Sequence, residues 1–200
     1  MRIGLYFGSF NPIHNGHLII AKDIINNYNI DSVWLVISPQ NPHKNSENLL
    51  NERHRFNLVD KALEGEYKIK ASSIEFKLPK PSYTVNTLQY LKEKHPNYEF
   101  VIIMGSDGFS NLKNWKNYKY IIDNYVIYIY KRLGYEINNE LNAKVEIIDS
   151  PLLLISSTYI RKLIKNKKDI RYLVPDIVRE EIIMNNYYSD VLENNTKKQS

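Results

Sequence analysis

The chain has 200 residues, of which 43% are hydrophobic and 24% charged, and it holds no cysteine. Disulfides, thiolate zinc sites and cysteine nucleophiles are therefore excluded, and no apolar run approaches the roughly 18 residues that a membrane helix needs. The formal net charge of +5 suits a phosphate-rich ligand, either a nucleotide or a nucleic acid, although the lysines are spread along the chain as compositional bias alone would spread them.

The opening MRIGLYFG is too short and too soon interrupted to read as a signal peptide. With the absence of cysteine, this predicts a cytoplasmic protein. Residues 2–7 read as a first strand and 16–28 as a first helix. SVWLVIS, at 32–38, is a nearly all-apolar, β-branched run of the kind buried on both faces of a parallel sheet. Residues 39–50, polar and holding two prolines, read as a loop. Residues 51–64 follow as a helix with Phe56, Val59 and Leu63 at helical spacing and Gly65 as its stop, and 67–71 as a strand. LPKPS at 78–82 breaks the pattern. A helix resumes at 84–94, stopped by His95-Pro96, and 100–104 is a buried strand ending at Gly105-Ser106-Asp107. Short helices are expected at 109–113 and 117–123, strands at 125–130 and 144–148, and helices at 156–164 and 175–185. This alternation predicts an α/β protein, a Rossmann-like, doubly wound parallel sheet flanked by helices. It would form a single domain over residues 1–188, followed by a polar tail at 189–200 that is expected to fray.

In such a sheet, ligands bind beyond the carboxyl ends of the strands, where the strand order reverses. Polar, small-residue segments follow the strands here at 8–17, 39–44, 105–107 and 150–158, so they converge on one crevice. The first, FGSFNPIHNGH, turns from strand into helix. Backbone N–H groups and the positive end of the helix dipole then point at one spot, a cradle for phosphate. His14 and His17, three apart, share a helix face. They read as donors to phosphoryl oxygens, against two ordinary polar residues or a zinc site with no third ligand nearby. Ser156-Ser157-Thr158 with Arg161 is either an ordinary N-cap or a second phosphate clamp. His43 and Lys44 are either exposed loop residues or added positive charge over the crevice. Gly105 allows close backbone approach, and Asp107 offers a carboxylate to a ribose hydroxyl or a metal-bound water. Trp115 is either core or a ring that stacks on an aromatic base. No GxSxG, Walker sequence or nucleophile–base pair stands out. Donors around phosphates suffice for phosphoryl or nucleotidyl transfer, where positioning and charge stabilisation carry the catalysis.

GSFNPIHNGH together with ISSTYIR resembles the nucleotidylyltransferase superfamily, whose marks are a T/HxGH motif and a late ISSTxIR motif. PSYTVNTL at 81–88 and MGSDGFSNLKNW at 104–115 are similar to segments of bacterial nicotinate-nucleotide adenylyltransferases, and the resemblance spans roughly residues 1–187. It implies conversion of nicotinate mononucleotide and ATP to deamido-NAD and pyrophosphate in NAD biosynthesis, by in-line attack of the mononucleotide phosphate on the α-phosphorus with no covalent enzyme intermediate. It implies His14, His17 and Arg161 as catalytic residues, the histidines on the α-phosphate and Arg161 with Ser157 on the outgoing pyrophosphate. The implied ATP site is Gly8, Ser9, Phe10, Gly16, Gly105, Asp107, Ser156, Ser157 and Ile160. The implied mononucleotide site is Lys44, Ser82, Tyr83, Thr84, Trp115 and Lys116, the last through its backbone. The resemblance implies no metal held by the protein; Mg²⁺ would be bound mainly through the ATP phosphates. The implied partners are ATP and nicotinate mononucleotide, without nucleic acid or membrane, and a homo-oligomer is compatible with it. Asn11 stands where the family usually has Asp; it loses a charge and keeps an acceptor, so a structural role is expected to survive. The rival readings are a pantetheine-phosphate adenylyltransferase, a cytidylyltransferase, whose RTEGISTT-type segment is absent, and nicotinamide mononucleotide as acceptor. From other classes come a tRNA synthetase, whose KMSKS loop is absent, and a non-catalytic nucleotide-binding protein.

Overall fold

A computed structural model describes residues 1–40 and 49–189 of the chain. Six strands, β1 (Arg2–Gly8), β2 (Ser32–Ile37), β3 (Ile69–Ser72), β4 (Glu99–Gly105), β5 (Ile127–Tyr130) and β6 (Val145–Ile148), form one parallel sheet in the order β3-β2-β1-β4-β5-β6. The chain winds outward from β1 to β3, returns to β4 on the other side of β1, and winds outward again. That reversal between β1 and β4 is the switch point of a doubly wound sheet. Among the described residues seven α-helices accompany it: α1 (Asn15–Asn27), α2 (Glu52–Ala62), α3 (Thr84–Lys94), α4 (Ser106–Ser110), α5 (Tyr118–Asn124), α6 (Ser157–Lys165) and α7 (Asp176–Met184).

Side chains alternate along a strand, and this divides the core in two. Leu5 packs with Ile102, Ile127 and Val85, Leu88 and Leu91 of α3. Its neighbour Tyr6 packs with Ile103, Leu35 and residues of α1, α2, α6 and α7, among them Ile24, Leu58, Ile160 and Ile182. Each sheet face thus has its own layer of helices. Among the described residues no helix is long and apolar enough to cross a membrane.

The expected elements are present, with shifted edges. Helix α1 starts at Asn15 because His14, extended at φ −149°, takes the cap position. β5 starts at Ile127 because the Tyr125 N–H still bonds to Ile121 of α5. The helix expected at 109–113 lies at Ser106–Ser110, directly after β4, and a 3₁₀ turn follows at Leu112–Asn114. The short polar residues Ser106 and Asp107, expected only as the segment that ends the strand, form its first turn, where a carboxylate is favoured. A further 3₁₀ turn at Ile74–Lys77 stands where no element was expected.

Candidate active site

The polar segments after the strands do converge. A cavity of about 500 Å³ opens at the carboxyl ends of β1 and β4, lined by Gly8, Ser9, Phe10, His14 and His17 along the passage from β1 into α1, and by Gly105 at the end of β4 and Asp107 in α4. Ser82, Tyr83, Thr84, Trp115 and Lys116 form one wall, and Ser156, Ser157, Thr158 and Arg161 another. Of the sequence-predicted residues, Lys44 lies outside the described residues, as does His43. Ile160, on the buried face of α6, is fully buried in the core and does not line the cavity. Gly16 is buried too, and what it provides is clearance: a β-carbon there would stand 3.0 Å from Nδ1 of His14.

The loop after β1 is held by its carbonyls. Ser9 O accepts from Arg55 Nη1 at 2.6 Å, Asn11 O from Arg161 Nη1 at 2.7 Å, and Pro12 O from the Ser157 hydroxyl at 2.9 Å. Carbonyls committed in this way do not present their negative ends to a phosphate. The Asn11 side chain accepts from the Leu50 N–H at 3.2 Å, so the acceptor kept in place of the family's carboxylate is used. Phe10 adopts φ 43°, a left-handed conformation unusual for a bulky residue, and its ring folds against Gly8, where a β-carbon would come within 2.9 Å. Two residues of the predicted pyrophosphate clamp, Ser157 and Arg161, therefore also hold the first loop. The second Arg161 nitrogen, Nη2, donates to Thr158 Oγ1 at 3.3 Å, and Ser156 caps α6 by accepting from the Tyr159 N–H at 3.2 Å.

His14 and His17 stack with ring centroids 3.6 Å apart. Two imidazolium rings would repel at that distance, and the surroundings prevent it. Burial, reinforced by the positive charge of Arg132, lowers the His14 pKa to about 3, so the ring is neutral at neutral pH. His17 Nδ1 accepts from the His14 backbone N–H at 3.3 Å. In the neutral ring the proton is then on Nε2, which makes that nitrogen the donor. Phe10 and Tyr6 meet the His17 ring edge-on at 5.0 and 5.9 Å and fix its plane.

Sequence reasoning missed a linked set on the floor and far side. The hydroxyls of Tyr6 and Tyr130 lie 3.1 Å apart, and Arg132 Nη2 donates to Tyr130 Oη at 3.4 Å. Arg132 also pairs with Asp107 at 3.5 Å, and its backbone N–H donates to Ser106 Oγ at 2.9 Å. Burial pushes the Tyr6 phenol well above its ordinary value, so it stays a neutral donor. On the aromatic wall, the Lys116 ammonium sits 4.5 Å from the centre of the Tyr83 ring, a cation–π contact. Behind this wall Glu75, 2% exposed, accepts from the Thr87 hydroxyl at 2.8 Å, and burial raises its carboxyl pKa while that hydrogen bond opposes the rise. The Ser82 N–H donates to Gln40 O at 3.0 Å, tying the start of this wall to the loop after β2.

The profile of the cytidylyltransferase-like family matches residues 5–163. A Flavobacterium psychrophilum protein named "Probable nicotinate-nucleotide adenylyltransferase" is 50% identical over 191 residues, spanning 94% of this chain and 99% of its own. The chain belongs to the nicotinate-nucleotide adenylyltransferase family. A relative of the same name from Cytophaga hutchinsonii is 48% identical over 192 residues, spanning 95% of this chain and 100% of its own. Among solved structures, the Plasmodium falciparum nicotinic acid mononucleotide adenylyltransferase complexed with NaAD is similar, with a TM-score of 0.80 and 27% identity over 94% of this chain and 97% of that one. This member of the adenylyltransferase family keeps both motif histidines, the ISST helix start and Arg161 on one crevice.

Proposed function

We propose that the crevice joins ATP to nicotinate mononucleotide, releasing deamido-NAD and pyrophosphate. The observation that carries this reading is the meeting in one cavity of the stacked His14–His17 pair at the start of α1, Arg161 and the hydroxyls at the start of α6, and the aromatic wall of Tyr83 and Trp115. The attacking phosphate is already an anion and needs no base. The work is to hold two anions in line and disperse charge as the α-phosphate transfers. His17 Nε2–H, with the amide groups at the start of the thirteen-residue α1, acts on that phosphate. His14 acts beside it, stacked on the His17 ring. Arg161 and Ser157 receive the pyrophosphate, with Arg132 as a second cation lining the same cavity.

Gly8, Ser9, Phe10, Gly105, Asp107 and Ser156 take the adenylyl side. Gly16 and Ile160 serve it indirectly, the one by making room for His14 and the other by seating α6. Thr84 at the start of α3, with Ser82, Tyr83, Trp115 and the backbone of Lys116, takes the nicotinate ring and its carboxylate; Lys44 belongs to the same reading. The groups facing the cavity are mainly N–H and hydroxyl donors, with Asp107 paired to Arg132. That set suits phosphate oxygens, and Mg²⁺ enters as the partner of the ATP phosphates. Every residue named comes from one chain, and the reaction needs no nucleic acid or membrane; its place is the cytoplasm.

The test is pyrophosphate release with ATP and three acceptors side by side: nicotinate mononucleotide, nicotinamide mononucleotide and phosphopantetheine. The expected order puts nicotinate mononucleotide first and phosphopantetheine at background. Comparable turnover of phosphopantetheine, or no release with either mononucleotide, overturns the reading.

A further inference from the structure

Arg55 of α2 is the bulkiest fully buried side chain among the described residues, at 0% exposure. Its hydrogen bonds among those residues all go to backbone carbonyls. Nε donates to Leu50 O at 2.7 Å, Nη1 to Ser9 O at 2.6 Å and Ser38 O at 2.9 Å, and Nη2 to Pro39 O at 3.0 Å. Taking a guanidinium out of water is costly, and an apolar side chain of similar volume would fill the same space more cheaply. What an apolar side chain cannot do is hold carbonyls. The four that Arg55 holds belong to the loop after β1 (Ser9), the exit from β2 (Ser38 and Pro39) and the entry to α2 (Leu50).

These carbonyls matter because of where they would otherwise turn. Ser9, Ser38 and Asn11 line the cavity. A released Ser9 or Ser38 carbonyl would be free to present its negative end to the phosphates. The neighbouring Phe10, at φ 43°, keeps a conformation that persists only when its surroundings over-determine it. Arg55 grips the loop on one side of Phe10 and Arg161 on the other, at Ser9 O and Asn11 O.

We propose that Arg55 is a positioning residue for adenylyl transfer: by holding the Ser9, Ser38, Pro39 and Leu50 carbonyls away from the crevice, its guanidinium keeps the phosphate loop presenting donors to ATP. This rests on the crevice being the site of adenylyl transfer. The role needs the planar fork of arginine, because a lysine ammonium is a single point and cannot reach carbonyls on both edges of the guanidinium.

Steady-state kinetics at 25 °C with ATP and nicotinate mononucleotide, alongside thermal unfolding, test it on Arg55→Lys and on Val59→Ala. Val59 lies one turn further along α2 in the core, and its side chain has no donor with which to hold a loop carbonyl, so it controls for lost stability. Arg55→Lys should lower kcat/KM for ATP about 10²-fold, the scale of misplacing a reacting group by about an ångström. Val59→Ala should lower Tm and leave kcat and both KM values within about twofold. If Arg55→Lys does not fold, the same kinetics are read on Arg55→Gln, scaled to the folded fraction. Wild-type kcat/KM in the folded Arg55 variant, or an equal loss in Val59→Ala at matched loss of Tm, overturns the proposal. Failure of the wild-type protein to use this substrate pair would overturn the reading of the site instead, so the two failures are distinct.

Discussion

Acid should destabilise this protein through His14, and by a calculable amount. In the unfolded chain the ring titrates at its ordinary value of 6.5; in the fold it does so at about 3, because burial excludes the charge and Arg132 repels it. Between those values the unfolded state binds a proton and the folded state does not, so stability is lost as pH falls through this window. Between about pH 7 and pH 4.5 the difference amounts to about 2.5 kcal/mol. Urea unfolding of wild type and His14→Gln at both pH values measures it. The amide cannot titrate, and the carboxylates common to both proteins cancel in the comparison. Wild type should lose about 2.5 kcal/mol more than the variant over that interval. Equal losses would refute the claim that the fold holds His14 neutral, and with it the account of how two imidazoles stack 3.6 Å apart.

Three further outcomes follow from the same geometry. His17→Ala should lower kcat by roughly 10²–10³, the scale of removing one preorganised donor from developing charge; near-wild-type turnover would take His17 out of the chemistry. Trp115→Ala should raise KM for the mononucleotide and leave that for ATP nearly unchanged, whereas the reverse split would place the ring on the adenine side. Glu75→Gln keeps a group able to pair with Thr87 and removes a carboxyl whose pKa burial has raised. A raised pKa contributes stability that fades as pH climbs above the ordinary carboxylate range. The substitution should therefore help thermal stability more at about pH 8 than at about pH 5, and the opposite order in a melting series would contradict it.

Much of this molecule is legible in its sequence, because the signals are local. The apolar runs at 32–38 and 100–104 announce strands buried on both faces, and the HNGH and ISST segments each sit at a strand-to-helix passage. The residues that tie the site together are harder to see. Tyr6 and Tyr130 meet across 124 positions, and nothing near either one marks its partner. Arg132 follows β5 in KRLG, which looks like an ordinary turn. Arg55 did leave a trace: with Leu58 and Val59 it falls at i, i+3 and i+4, on the face that α2 buries. A charged residue on an apolar face is a signal, but only the fold shows that carbonyls receive it. Glu75 hid similarly, in a 3₁₀ turn too short for periodicity to reveal.

The most direct test of the central claim is a crystal structure of this protein with deamido-NAD bound. The account predicts the nicotinate ring against Trp115 and Tyr83, the adenosine toward Gly105 and Asp107, and the adenylyl phosphate within hydrogen-bonding distance of His17 Nε2 at the start of α1. A dinucleotide bound in the opposite direction, or with its phosphates away from both histidines, would contradict it.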